Sequence, residues 1–238
     1  MVPNGIAGVS TRDKISFVVI AIDGPAGSGK STVAREVARR LGFTYIDTGA
    51  MYRAVALLAL RNGVSLQDAA ALTKIAEEAN LHFASKNRLF AGGEDLSESI
   101  RTPEISQASS MVSTVEGVRR ALVAIQQRFG REGDLVMEGR DIGTVVFPGA
   151  EVKVFLDASP EERARRRFEE KPDGPPLAAV IAQIRERDLR DTRREHSPLL
   201  RAADAVTLDT TGLTIAEVVE KIEQMALTAR AAANKIVS

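Results

Sequence analysis

Five short apolar runs punctuate the chain, and stretches of helical periodicity separate them. Residues Phe17 to Ile22 form a β-branched run without alternation, which predicts a strand buried on both faces of a parallel sheet. Val33, Val37, Ala38 and Leu41 then recur at helical spacing, and Gly42 closes that helix. Four further strands are predicted at 44–46, 135–138, 152–156 and 205–208. The intervening patterns predict helices. One is capped by Thr48 and runs through Ala54 to Leu60. Another covers 64–80, with Ser65 as its cap. A third opens at Thr102-Pro103, with proline at the first helical position, and helix returns up to Phe129 before Gly130. Ser159-Pro160 opens the next, and Thr214 caps the last, which runs from Ile215 to about Ala229 with Val218, Val219, Ile222 and Met225 on its apolar face. Strand–helix alternation of this kind predicts an α/β fold with a five-stranded parallel sheet flanked by helices. Two interruptions break the scheme. Leu81-His82-Phe83 and Arg88-Leu89-Phe90, with turns at Ser85-Lys86-Asn87 and Gly92-Gly93, read as a hairpin in an inserted subdomain. Lys171-Pro172-Asp173-Gly174-Pro175-Pro176 reads as a hinge.

Composition narrows the function classes. The 238 residues suit one core domain with insertions, or at most two domains. Lys plus Arg and Asp plus Glu are both 32, so the net charge is zero, which disfavours a globally basic nucleic-acid binder. Trp is absent and there are two Tyr, so no aromatic platform for stacking single-stranded nucleic acid is expected. The absence of Cys excludes disulfides and thiolate metal sites and fits a cytoplasmic enzyme. The apolar run at 17–22 is too short to span a bilayer, and residues 1–14 lack the apolar segment of a signal peptide, so they read as a loose N-terminal extension. Neither a membrane nor a nucleic acid is expected as partner.

The first strand ends in Gly24-Pro25-Ala26-Gly27-Ser28-Gly29-Lys30-Ser31-Thr32, a GxxxxGKS phosphate-binding loop set between a strand and a helix. Its glycines let backbone N–H groups turn inward, and with the helix N-terminus they make a cradle for a nucleoside triphosphate. Lys30 is expected to reach the β- and γ-phosphates, and Ser31 to reach Mg²⁺. Glu138, at the end of the 135–138 strand, stands where a carboxylate would meet the Mg²⁺ shell, directly or through water. Arg53, Arg140 and Asp141 are expected at the same sheet edge, where ligands of open α/β sheets bind. Arg163, Arg165, Arg166 and Arg167 form a basic run. Arg187, Arg190, Asp191 and Arg194 share a helix face. Such a helix reads either as an exposed surface laced with ion pairs or, beside a phosphate loop, as a lid over about 163–194 that supplies positive charge. No guanine-reading Asn-Lys-x-Asp follows a strand. The arginines suit transfer to a second substrate. A nucleotide-dependent switch and a nucleic-acid-binding module are the readings from other classes.

Several segments together resemble the bacterial cytidylate (CMP/dCMP) kinases. They are the phosphate loop from Gly24, Ile46-Asp-Thr-Gly-Ala-Met-Tyr-Arg53, Gly139-Arg-Asp-Ile-Gly-Thr-Val-Val-Phe-Pro148, Phe155-Leu-Asp-Ala-Ser159 and Arg187-Asp-x-Arg-Asp191. The resemblance runs from about Ile15 to about Ala226 and implies a monomeric kinase domain over 15–226, followed by a C-terminal tail at 227–238. Within the domain it implies an insert at about 64–110 that binds the nucleoside monophosphate. The implied reaction moves the γ-phosphoryl group of ATP, with Mg²⁺, to CMP or dCMP. The resemblance assigns Ser110, or the adjacent Ser109, with Arg119 and Asp141 to the cytosine edge. It assigns Thr48 and Tyr52 to the acceptor, and Arg53 and Arg140 to its phosphate. Arg187 and Asp191 are assigned to the sugar, and Arg190 and Arg194 to the transferring phosphoryl with Lys30. The chemistry suits cytosine: its amino group donates to a carboxylate or hydroxyl, and an arginine donates to its carbonyl and N3. Glu138 departs from the aspartate of the family pattern.

Overall fold

The computed structural model describes residues 17–84, 87–170 and 174–237. In chain order the elements are β1 (Val19–Asp23), α1 (Lys30–Leu41), β2 (Thr44–Asp47), α2 (Thr48–Arg61), α3 (Ala69–Glu78), β3 (Leu81–Ala84), β4 (Arg88–Ala91) and β5 (Glu94–Asp95). They continue with α4 (Pro103–Val112), α5 (Glu116–Phe129), β6 (Leu135–Gly139), β7 (Val152–Asp157), α6 (Pro160–Glu170), α7 (Leu177–Arg193), β8 (Val206–Asp209) and α8 (Ile215–Val237). The extension at 1–14, part of the turn at 85–86 and residues 171–173 of the hinge lie outside the described residues.

β1 sits at the centre of a parallel sheet of order β2-β6-β1-β7-β8. Every residue of β1 is buried, as its unbroken apolar run predicts. Alternate side chains serve opposite faces. Ile20, Ile22, Val136 and Val154 pack against Val33 and Val37 of α1 and Val218, Val219 and Ile222 of α8. Ala21, Ile46 and Met137 pack the other way with Ile142 and Val146. The register sets Asp23 opposite Gly139, and Glu138 opposite both Ile22 and Asp47. The carboxyl ends of β1, β2 and β6 therefore open onto one edge.

A second core lies beside the sheet, in which Val55 of α2 meets Leu72, Ile105, Val112, Val118 and Leu122 of α3, α4 and α5. The antiparallel sheet β3-β4-β5 adds Leu81 and Leu89 to that core, so the expected hairpin gains a short third strand. His82 is exposed there and stacks on Phe90.

Three helix ends differ from the sequence reading. Asp47, not Thr48, caps α2 by accepting from Ala50 N at 3.1 Å; the Thr48 hydroxyl instead donates to Glu138 O at 2.8 Å. Ser65 does not cap α3. It opens a turn with Gln67, and Asp68 accepts from Ala71 N at 3.0 Å. α8 continues to Val237, because the alanine-rich 231–233 stretch favours helix. Among the described residues no helix is long and apolar enough to cross a membrane.

Candidate active site

The loop between β1 and α1 is shaped by glycines no other residue could replace without strain. Gly24 has φ of +149°, and a Cβ there would lie 2.1 Å from the carbonyl oxygen of Leu156. Gly27 has φ of +79°. Asp47, Asp68 and Thr102 cap α2, α3 and α4, but no side chain caps α1. Its N-terminal amides are left for an anion, which the helix dipole also favours. The buried Lys30 Nζ donates to Pro25 O at 2.7 Å. Burial pushes its ammonium down to about 7, and the nearby Arg140 and Arg187 guanidiniums act in the same direction against Glu138 and Asp23.

This loop forms one wall of a cleft of about 1150 Å³. The opposite wall carries a network of arginines and carboxylates. Arg140 Nε donates to Asp191 Oδ2 at 2.8 Å, with Arg187 Nε 4.0 Å from the same oxygen. Burial alone would raise the Asp191 carboxyl, but the Arg140 and Arg187 charges outweigh it and hold the group below its ordinary value. Arg187 Nε is buried without a hydrogen-bond partner, and burial beside Arg140 lowers that guanidinium to about 10. Arg53 donates to Asp47 Oδ2 at 2.8 Å. Unpaired or weakly paired guanidiniums at a sheet edge are suited to phosphate.

Deeper in the cleft, Arg119 and Asp141 form a buried ion pair. Arg119 lies over the Tyr52 ring at 5.3 Å, donates to Ser113 O at 3.1 Å, and leaves its Nε without a partner. Burial pushes the Tyr52 hydroxyl up to about 12, so it stays protonated at neutral pH. Arg194 Nη2 is also buried without a partner, 3.9 Å from Asp141 Oδ1. Ser109 and Ser110 both line the cleft. The Ser109 hydroxyl is spent on its own helix, donating to Ser106 O, whereas Ser110 Oγ accepts from Arg190 Nη1 at 2.8 Å.

Ala26 to Thr32, Thr48, Tyr52, Arg53, Ser110, Arg119, Glu138, Arg140, Asp141, Arg187, Asp191 and Arg194 all line this one cleft. Gly24 and Pro25 stand behind it, against Leu156 and Lys30. Arg190 is not brought to the phosphate cradle. It reaches Ser110 and Glu186 and lines a smaller hollow of about 510 Å³ with Glu116 and His196. Arg194 likewise faces Asp141 rather than Lys30, and it shares the smaller hollow with Thr114, Val115 and Glu116.

Sequence reasoning missed several residues. Asp23 closes β1 and accepts from Ile142 N at 2.8 Å and Gly143 N at 2.7 Å, fixing the turn after Arg140-Asp141. Burial pushes its carboxyl up to about 6, against those two donors. Arg163 and Arg166, expected on a lid, are committed to bonds with the loop and with Thr210, and Thr210 and Gly212 to Ile215 extend the cleft beyond Gly29. Their spacing of three on α6 was the available signal.

The groups expected at Mg²⁺ fit the ion. The Ser31 side chain and the buried Glu138 carboxyl line the same cleft beside Lys30. Among the described residues no cluster of three carboxylate or imidazole groups could hold a metal alone.

A family model described as cytidylate kinase matches residues 20–228. A cytidylate kinase from Solibacter usitatus is 54% identical over 210 residues, covering 86% of this chain and 90% of the relative. The cytidylate kinase of Bacillus licheniformis is 50% identical over 213 residues, covering 87% and 94%. Among solved structures, an uncharacterized protein from Eubacterium ventriosum aligns with TM-score 0.51 at 11% identity, covering 89% of this chain and 98% of the other, a likeness of fold alone.

Proposed function

The chain belongs to the cytidylate kinase family, and from that premise we propose that it transfers the γ-phosphoryl group of ATP to CMP or dCMP, giving ADP and CDP or dCDP. The buried Arg119–Asp141 pair, sharing one cleft with the Lys30 cradle, carries this reading. Cytosine offers an amino donor beside two acceptors, and a carboxylate beside a guanidinium answers both. Uracil would turn a carbonyl toward Asp141 and leave buried groups unpaired, a strong basis for rejection.

In this reading the uncapped N-terminus of α1 and Lys30 hold the ATP phosphates, and residues 210–215 receive the rest of the donor. Thr48 holds the β6 end of the pocket, and Tyr52 supports Arg119. Arg53 and Arg140 take the acceptor phosphate, and Arg187 and Asp191 take the sugar. The electrostatic reach of Arg140 and Arg187 to Lys30 supports a meeting of the two phosphates there. Arg194 belongs with Arg119 and Asp141 at the base, and Arg190 orients the Ser110 hydroxyl toward it. The insert at about 64–110 supplies Ser110, the lid at about 163–194 supplies Arg187, Arg190, Asp191 and Arg194, and α2, α5 and the end of β6 supply the others; the protein works as a cytoplasmic monomer on small molecules.

An oxygen of the acceptor phosphate attacks the γ-phosphorus as the bond to the bridging oxygen of ADP breaks. The acceptor is already anionic, so no general base is required, and the chain contributes positioning and charge. Ser31, and Glu138 through water, would hold Mg²⁺, which would supply positive charge to the transferring phosphoryl group. Enclosure by α6 and α7 excludes water that would otherwise take the phosphoryl group.

The test is ADP release from ATP·Mg²⁺ with no acceptor, CMP, dCMP, UMP, AMP, GMP or shikimate. Turnover with CMP and dCMP alone is the expected result. Turnover with a different acceptor would discard the base-reading assignment, and release that ignores every acceptor would make the protein a hydrolase.

A further inference from the structure

Arg163 is charged, 3% exposed and outside the groups assigned to substrate. Its guanidinium has three partners in three parts of the fold. Nε donates to Ala158 O at 2.8 Å, just beyond β7. Nη1 donates to Ala26 O at 3.0 Å, inside the phosphate loop. Nη2 donates to Asp188 Oδ2 at 2.6 Å, on α7. Such a group is costly to bury unless every bond is made, so the position demands arginine and not merely charge.

Two consequences follow from the geometry. A trans peptide points its carbonyl and the next N–H in opposite directions. Holding the Ala26 carbonyl outward therefore turns the Gly27 N–H toward the cleft, at the glycine whose φ of +79° makes the loop. Asp188, at the far end of the tie, follows Arg187 directly and precedes Asp191 by less than one helical turn. The apolar contact between α6 and α7 is small, formed by Ala164, Val180 and Ile184 with Ile181. The arginine tie is thus a principal link between the loop and the helix bearing the sugar-side groups.

We propose that Arg163 is a positioning residue that couples the two nucleotide sites: occupation of the phosphate loop is carried through Ala26, Arg163 and Asp188 to α7, setting Arg187 and Asp191 for the acceptor. The inference rests on a donor at Lys30 and a phosphorylated acceptor beneath α7. Coupling of this kind is reciprocal, so each nucleotide tightens the other by the same factor.

The experiment measures the affinity of a non-hydrolysable ATP analogue with Mg²⁺, alone and with saturating acceptor, by calorimetry. The acceptor is whichever nucleotide the turnover panel returns, so a failure of the CMP reading changes the ligand and leaves this test standing. In the wild type the acceptor tightens the analogue by about 5-fold or more. Asp188→Asn keeps the size of the group but not its charge. It leaves the affinity of each nucleotide alone within about 2-fold and reduces the coupling below about 2-fold, while Asp188→Glu restores it. Arg163→Lys, which cannot reach three partners, loses the coupling as well; its thermal unfolding is recorded beside it. Undiminished coupling in Asp188→Asn, or none in the wild type, overturns the proposal.

Discussion

The Tyr45 hydroxyl donates to Glu138 Oε1 at 2.5 Å, joining the neighbouring strands β2 and β6 at the edge that opens on the cleft. Burial pushes the tyrosine above its ordinary range, so it remains a donor. The partner matters because Glu138 is buried beside Asp47, and both conditions raise its pKa. Glu138 is thus a buried carboxylate with a hydroxyl to hold it. Tyr45→Phe is expected to lower stability by about 1–3 kcal/mol. In combination with Glu138→Gln, the loss should be smaller than the sum of the two single losses, because the pair then has nothing left to break. Urea unfolding of the four proteins checks this, and strict additivity would mean the bond contributes nothing.

Lys30→Ala should lower phosphoryl transfer by at least about 10²-fold, since charge at the transferring group is most of what the protein supplies. A sharper expectation concerns protons. With burial pushing its ammonium down to about 7, Lys30 should lose part of its charge near pH 8 in the free protein. A triphosphate on the loop favours the charged form, so ATP binding at pH 8 should take up protons at this site. Calorimetry in buffers of different ionisation enthalpy measures this directly; no uptake, or uptake that persists in Lys30→Ala, would assign the effect elsewhere.

Asp141→Ala should reduce kcat/KM for CMP by about 10²-fold or more and leave the KM for ATP within a few-fold, because it removes an acceptor from a buried base site. Equal losses for both nucleotides would show that Asp141 does not read the base.

Arg190 tests the part of the site that its fold position redefines. Because it holds Ser110 Oγ and not the phosphate cradle, Arg190→Ala should raise the KM for CMP several-fold with little change in kcat. A fall in kcat of about 10²-fold at constant KM would return Arg190 to the transferring phosphoryl.

Asp23 contributes a pH dependence whose sign is fixed by its direction of shift. Its folded pKa, about 6, lies above its ordinary 3.8, so the folded state binds the extra proton between those values. The contribution is fully present below pH 3.8 and is lost as pH rises through 6. Relative to Asp23→Asn, which does not titrate, wild-type stability should therefore decline from pH 4 to pH 6. A flat difference across that window, measured by urea unfolding, would contradict the assignment.

Much of this was legible in the amino-acid order because it depends on local physics. An unbroken apolar run such as Phe17 to Ile22 has one stable use, as a strand covered on both faces. A glycine-rich turn leading into Lys30 at the start of a helix makes an anion cradle whatever lies around it. The parallel sheet, the antiparallel hairpin and the phosphate loop all follow from patterns of that range. What needed the tertiary structure were relationships between residues far apart in the chain. Thr48 lost the cap of α2 to Asp47 because a carbonyl 90 positions away, that of Glu138, engaged its hydroxyl. The helical spacing of Arg187, Arg190, Asp191 and Arg194 puts them on one face, yet the partner each meets, Ser110 for Arg190 and Asp141 for Arg194, depends on packing across the cleft. Arg163 looked like one cation in a basic run, and only packing of α6 against the loop buried it beneath Ala26 and Asp188. Sequence spacing determines which side chains share a face; the partner that a face meets, and so the role of each charge on it, is decided by how the elements pack.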